Sequence, residues 1–184
     1  LKRRSILTGW LALAGAVAFS TSVASASMKV GETAPTFILP ATLGGKPFTF
    51  NLTTALKKGP VVVYFYPKAF TSGCTKEAHD FAASMASYKK MNATVIGVSG
   101  DDTATLNKFS VSECGSKFPV AADEKLIVAH SYDSIVANTF ANRTSYVIAQ
   151  DGKIAYVYSD LDPDKHVENT LAAVRKLSGA TVAR

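Results

Sequence analysis

Val61-Val62-Val63-Tyr64-Phe65-Tyr66-Pro67-Lys68-Ala69-Phe70-Thr71-Ser72-Gly73-Cys74 is the stretch whose reading decides the fold. Its first six residues are apolar or aromatic throughout and rich in β-formers, the pattern of a central strand covered on both faces. Pro67 ends that strand. From Cys74 to Lys90 the period turns helical. Ala78, Phe81, Ala82, Met85 and Tyr88 share one stripe, the acids Glu77 and Asp80 come early, and Lys89-Lys90 come late. A cysteine at a helix start, directly after a strand, faces free backbone N–H groups and the positive end of the helix dipole. Both favour the thiolate, so Cys74 is placed to react.

Working outward, Thr36–Leu39 and Lys46–Phe50 read as strands around a turn at Gly44-Gly45. Thr94–Ser99 reads as a second buried strand. Asp101-Asp102-Thr103 opens a weaker helix running to about Ser112. Pro119–Ala122 reads as a short strand and Glu124–Tyr132 as a short helix. Ser145–Ala149 and Lys153–Ser159 are strands joined by the turn Gln150-Asp151-Gly152. Asp162-Pro163 reads as a cap followed by proline at the first helical position. The last helix carries Val167, Leu171, Val174 and Leu177, and Gly179 is its expected end. The order strand-helix-strand-helix, closing with strand-strand-helix, implies an α/β domain with a mixed central sheet and helices on both faces. Cys74 then lies beyond the carboxyl end of an inner strand, the usual place for function in open α/β sheets.

Residues 1–26 read as a secretory leader. Lys2, Arg3 and Arg4 are basic, Ile6 to Phe19 is apolar, and Ala24-Ser25-Ala26 offers a cleavage site before Ser27. Trp10 belongs to this leader. The apolar run is short for a membrane span, so no stable insertion is expected after cleavage. The Arg3-Arg4 pair admits the twin-arginine route beside the general secretory one, and either gives a periplasmic protein. The remaining residues, 27–184, form one domain. Removing the leader lowers the formal charge from +6 to +3, because its three charges are all basic. No Lys/Arg cluster interleaves with aromatics, so nucleic acid is not an expected partner. Both cysteines of the chain, Cys74 and Cys114, survive processing and enter a compartment where disulfides persist. Their 40-residue separation suits neither a zinc site nor a Cys-x-x-Cys motif.

The residues before Cys74 have chemical uses. Pro67 restricts the backbone and shields the sulfur from bulk water. The Thr71 hydroxyl is able to donate to the thiolate or to accept from a substrate. Gly73 and Cys74 supply helix-start N–H groups. A cation is still needed to hold the thiolate and balance charge on a leaving oxygen. Arg143, at the start of the strand Ser145–Ala149, meets that need if the strand lies beside Val61–Tyr66. Its rigid fork serves two acceptors at once, which a lysine does not.

These residues resemble the peroxiredoxins, whose signature Pro-x-x-x-Thr-x-x-Cys occurs as Pro67, Thr71 and Cys74, with the family arginine matched by Arg143. The chain is most similar to the bacterioferritin comigratory protein, or peroxiredoxin Q, subfamily. The resemblance runs from Met28 to Leu177. It is carried by Val30-Gly31-Glu32-Thr33-Ala34-Pro35-Thr36-Phe37, Tyr64-Phe65-Tyr66-Pro67-Lys68, Gly73-Cys74-Thr75-Lys76-Glu77-Ala78, Phe118-Pro119-Val120 and Arg143-Thr144-Ser145-Tyr146-Val147-Ile148. It implies a thioredoxin-like fold and the reduction of H2O2 or organic hydroperoxides without metal or flavin. Cys74 would be the peroxide-attacking cysteine, with a thioredoxin-like or other thiol as reductant, in a monomer. Many subfamily members carry a second cysteine five residues after the first, where this chain has His79. Cys114 is the remaining candidate to resolve the oxidised Cys74 as a disulfide. Its alternatives are a small apolar filler and a one-cysteine enzyme served by an external thiol.

Several residues keep two readings. Glu77 either orients Arg143 or is an ordinary early-helix acid. His79, His130 and His166 form no ligand pattern and read as surface or helix-face residues. Two other functions on such a fold, a thiol–disulfide oxidoreductase and a copper-handling chaperone, would want Cys-x-x-Cys and Cys-x-x-x-Cys. Glu77 and Ala78 stand where those second cysteines would be.

Overall fold

A computed structural model describes residues 27–182, so the leader reading of residues 1–26 lies outside the described residues. In chain order the elements are β1 (Ile38–Leu43), β2 (Lys46–Asn51), α1 (Leu52–Leu56), β3 (Val61–Phe65), α2 (Ser72–Lys90), β4 (Thr94–Ser99), α3 (Thr103–Ser112), β5 (Val120–Ala122), α4 (Ile127–Ser131), β6 (Ile135–Val136), β7 (Phe140–Ala141), β8 (Thr144–Ile148), β9 (Ile154–Ser159) and α5 (His166–Val182). Seven strands form one mixed sheet in the order β2-β1-β5-β4-β3-β8-β9, while β6 and β7 make a separate small hairpin.

β3 is the axis. It runs parallel to β4, with Val62 opposite Val95, and antiparallel to β8, with Val62 opposite Val147. Alternate side chains leave a strand on opposite faces, and here both faces are covered. Val62, Tyr64 and Tyr66 join a core with Phe81, Met85 and Tyr88 of α2, Phe109 of α3 and Val174 of α5. Val61, Val63 and Phe65 join a second core with Leu52 and Leu56 of α1 and Val128 of α4. That double burial is why the strand is apolar at every position. Phe81 of α2 stacks on Tyr64 with ring centroids 4.4 Å apart, fixing the helix over the strand that precedes it.

The structure corrects several sequence expectations. The first hairpin turns at Gly44-Gly45, both with positive φ (57° and 74°), but its first strand is Ile38–Leu43 rather than Thr36–Leu39. α1 was not foreseen. Asn51 caps it by accepting from the Thr54 amide at 3.1 Å. α4 is confined to Ile127–Ser131, and the β6–β7 hairpin is additional. The final helix begins at His166, not at Pro163. Asp162 instead closes a local turn, its Oδ1 accepting from the Asp164 amide at 3.0 Å. Gly179 does not end that helix, which continues to Val182.

Candidate active site

α2 begins two residues before Cys74, with Thr71 at its cap position. Ser72, Gly73 and Cys74 therefore form the first turn, whose amides have no intrahelical acceptor. The Thr71 carbonyl accepts from the Thr75 amide at 2.8 Å. The Thr71 hydroxyl donates to the Lys68 carbonyl at 2.9 Å. Its proton is thus committed to the loop rather than to the sulfur, and only its acceptor role toward a substrate is left. The loop is held from behind by Asp101, whose Oδ2 accepts from the Ala69 amide at 2.7 Å and from the Ser99 hydroxyl at 2.8 Å. Asp102, one residue on, is the cap of α3. Phe70 takes a left-handed φ of 64°, which costs a non-glycine residue about 1 kcal/mol. Its ring packs edge-on against Phe109 at 5.2 Å. Pro67 is half-buried at the turn out of β3.

The sulfur of Cys74 is almost fully enclosed, the residue being 1 % exposed. Arg143 reaches it from the residue preceding β8, whose antiparallel pairing with β3 brings Thr144 opposite Phe65. The guanidinium is used on three sides. Nη2 donates to Cys74 Sγ at 3.4 Å, Nη1 donates to Glu77 Oε2, and Nε donates to the Leu161 carbonyl at 2.8 Å. A lysine would supply one point charge; the planar fork holds sulfur and carboxylate together. Burial by itself would lower the Arg143 pKa, but Glu77 and Cys74 beside it carry it above its ordinary value.

Glu77 is fully buried, which rules out the reading as an ordinary solvated helix acid. Burial pushes its carboxyl up to about 8, against the opposing pull of Arg143. Its second oxygen, Oε1, has no hydrogen-bond partner and lies 3.6 Å from His166 Nδ1. His166, read from sequence as a surface or helix-face residue, is the first residue of α5 and is 0 % exposed rather than on the surface. Nδ1 meets the Ser145 hydroxyl at 2.8 Å and Nε2 meets the Asp160 carbonyl at 2.9 Å. Burial lowers its pKa to about 4.

Cys114 is buried and lies just past α3; its amide donates to the Phe109 carbonyl at 3.1 Å. Both cysteines are free thiols packed in the same core cluster. Burial, with Glu113 adding to it, pushes the Cys114 thiol well up. His79 is exposed and bridges α2 to the residue before Cys114, with Nε2 3.0 Å from Glu113 Oε2. His130 is exposed, as expected. An open groove of about 490 Å³ runs beside Pro67 and Lys68, bounded by Asp101, Leu126 and Phe140, but Cys74 does not line it. Among the described residues no cluster of three potential metal ligands occurs, and no helix is long and apolar enough to cross a membrane.

Gly73 explains how the guanidinium comes so close. A Cβ at this position would stand 3.0 Å from Arg143 Nη2. Gly73→Ala should therefore displace Arg143 by a few tenths of an ångström and slow oxidation of Cys74 by roughly 10-fold. The same change favours the helix by about 1 kcal/mol. Slower peroxide turnover at an unchanged or higher melting temperature is the expected pair of results. Unchanged turnover would mean that the contact has no kinetic role.

Residues 30–157 match the AhpC/TSA family. Over 163 residues the chain is 36% identical to chloroplastic peroxiredoxin Q of Triticum aestivum, covering 87% of this chain and 73% of that one. It is 34% identical to peroxiredoxin Bcp of Escherichia coli K12 over 146 residues, covering 76% of this chain and 90% of that one. The crystal structure of peroxidoxin BcpB from Mycobacterium tuberculosis superposes with a TM-score of 0.74 at 31% identity, covering 82% of this chain and 98% of that one. The fold is thus thioredoxin-like, of the peroxiredoxin type. The chain belongs to the AhpC/TSA family. Within it, the chain is a peroxiredoxin of the Q and Bcp type, an oxidoreductase acting as a thiol peroxidase.

Proposed function

We propose that this peroxidase reduces H2O2 or organic hydroperoxides through Cys74 and is resolved by an intramolecular disulfide with Cys114. The observation that carries the first half is the 3.4 Å contact from Arg143 Nη2 to Cys74 Sγ, at a sulfur on the first turn of α2. The thiolate attacks one peroxide oxygen and the O–O bond breaks. The bonding electron pair leaves on the second oxygen, which takes a proton and departs as water or an alcohol. Cys74 is left as a sulfenic acid, oxidised by two electrons as the peroxide is reduced by two. Arg143 and the free amides of the α2 first turn oppose the negative charge shared by sulfur and leaving oxygen. Enclosure from water makes such donors more effective. The Thr71 lone pairs are free to accept the peroxide O–H.

In the second half, the Cys114 thiol attacks the sulfenic sulfur, a disulfide forms and water leaves. Cys114 starts buried, so the segment after α3 has to open. Gly115 and Ser116 follow it with left-handed φ values of 55° and 57°, a turn that departs from helix at once. A thioredoxin-like or other dithiol then reduces the disulfide. Intact mass after one equivalent of H2O2 tests this half. The reduced wild-type chain should lose two hydrogens, and Cys114→Ser should instead gain one oxygen. Loss of two hydrogens in both, or a stable sulfenic acid in both, would remove Cys114 as resolver.

The domain of residues 27–184 is proposed to act as a monomer in the periplasm after removal of residues 1–26. Support comes from the basic, apolar and small-residue segments of that leader in sequence. N-terminal sequencing of the protein from a periplasmic fraction tests it, with Ser27 as the expected first residue.

A further inference from the structure

Arg143 is gripped by a short strap, residues 160–164, that the peroxide chemistry above does not use. The Asp160 amide donates to the Arg143 carbonyl at 3.2 Å, and Arg143 Nε donates to the Leu161 carbonyl at 2.8 Å. Backbone and side chain of the arginine are thus both tied to two consecutive strap residues. The strap lies outside the core: Asp160, Leu161, Asp162 and Asp164 are exposed. Its inner hold is His166, which is fully buried. His166 Nε2 lies 2.9 Å from the Asp160 carbonyl, and a carbonyl only accepts, so Nε2 carries the ring proton and donates. Nδ1 accepts from the Ser145 hydroxyl at 2.8 Å, and Ser145 stands on β8, two residues after Arg143. Both ring nitrogens are therefore satisfied, and the bonds close a circuit. It runs from β8 through His166 to the Asp160 carbonyl, on to the next carbonyl, and back through Arg143 Nε to the start of β8.

We propose that His166 is a positioning residue for the reaction at Cys74: its Nε2–H fixes the Asp160 carbonyl, so that the Leu161 carbonyl beside it holds Arg143 Nε and keeps Nη2 on the sulfur. A long side chain has many rotamers, and an arginine left unheld at Nε would have to be ordered at each encounter with peroxide. The room for error is small. On one side the backbone of Gly73 passes so near that a Cβ there would stand 3.0 Å from Nη2, and on another Nη1 is bonded to Glu77. A swing of the guanidinium plane lengthens the 3.4 Å contact to Cys74 Sγ, and misplacing a catalytic group by about 1 Å can cost about 10²-fold in rate. The outer end of the strap is clamped as well. Asp164 Oδ1 lies 2.9 Å from Lys76 Nζ of α2, but that pair is exposed and adds little. His166 is the buried anchor, and it acts through the strap and Arg143 rather than on the peroxide.

The inference rests on Cys74 as the attacking sulfur and Arg143 as its partner, so Cys74→Ser and Arg143→Gln are the controls. Activity in the first, or a wild-type rate in the second, overturns that reading and this inference with it; the outcomes below bear on His166 alone. The measurement is the second-order rate of oxidation by H2O2, without reductant, with melting temperatures recorded alongside. His166→Gln carries its amide to where Nε2 stands and keeps a donor for the Asp160 carbonyl, so it should stay within about 3-fold of wild type. His166→Asn reaches only to the level of Nδ1, keeps a partner for Ser145 and lets the strap go; folded, it should be slower by about 10-fold. Combined with Arg143→Gln, His166→Asn should cost no more than about 2-fold, because the arginine it acts through is gone. A merely structural role would lower stability and leave equal losses in both backgrounds. A folded His166→Asn at the wild-type rate, His166→Gln as slow as His166→Asn, or an undiminished loss on Arg143→Gln each overturn the proposal. If His166→Asn does not fold, exposed Asp160 supplies the second comparison, since its Oδ1 shapes the strap by accepting from the Asp162 amide at 3.0 Å. Asp160→Ala should be about 3-fold slower than Asp160→Asn, which removes the same charge but keeps the acceptor. Equal rates in those two overturn the proposal.

Discussion

Arg143→Gln is expected to slow the attack of Cys74 on peroxide by roughly 10²–10³-fold, the usual effect of removing one donor from a charge-stabilising site. The donor lost is the one at 3.4 Å from the sulfur. The amide side chain is shorter, uncharged and unable to serve sulfur, carboxylate and the Leu161 carbonyl together. The substitution also takes away the donor to the buried Glu77 carboxyl, and leaving a buried polar group unpaired costs about 1–3 kcal/mol. That stability cost should depend on pH. The Glu77 carboxyl has a folded pKa near 8, above its ordinary 4.5, so the folded chain keeps a proton that the unfolded chain releases. Its contribution is fully present below about pH 4.5 and is lost as pH rises towards 8. Without Arg143 to oppose burial the folded pKa rises further and the decline extends to higher pH. Stopped-flow oxidation rates and melting temperatures across pH 5–9 separate the two effects. A wild-type rate in a folded Arg143→Gln would detach the guanidinium from the chemistry.

Cys74→Ser should have the largest effect of all: no peroxide consumption above background, with little change in stability. An oxygen replaces an enclosed sulfur of similar shape, but a serine hydroxyl is not ionised near neutrality and forms no sulfenic acid. Cys114 would be the one thiol left, and its burial keeps it protonated. Peroxide consumption in this variant comparable to wild type would place the nucleophile elsewhere.

The parts of this account legible in sequence are those fixed by a strong local period. β3 announced itself because both its faces are buried, and α2 because its stripe from Ala78 to Tyr88 is regular. Arg143 was legible because it precedes a strand that had to pair somewhere in the sheet; the β3–β8 register brings it to the sulfur. His166 was not legible. Its burial depends on where α5 starts and on how the 160–162 turn folds over it, and Asp162-Pro163 imitates a helix start three residues too early. Glu77 kept two readings in sequence because a helix acid is ordinary. Only the packing of α2 against α5 and the approach of Arg143 enclose it. Asp101 was missed as the support of the loop before Cys74 because it adjoins a true helix cap, Asp102, and has the same side chain.

The central claim is that the donors around position 74 make its sulfur attack peroxide far faster than an ordinary thiol does. The measurement that tests it most directly is single-turnover oxidation of reduced Cys114→Ser protein by H2O2, followed by stopped flow and by mass localisation of the added oxygen. The account predicts one oxygen on Cys74, added roughly 10³-fold or more faster than to a free cysteine. Oxidation at the rate of free cysteine, or an oxygen found on another residue, would contradict it.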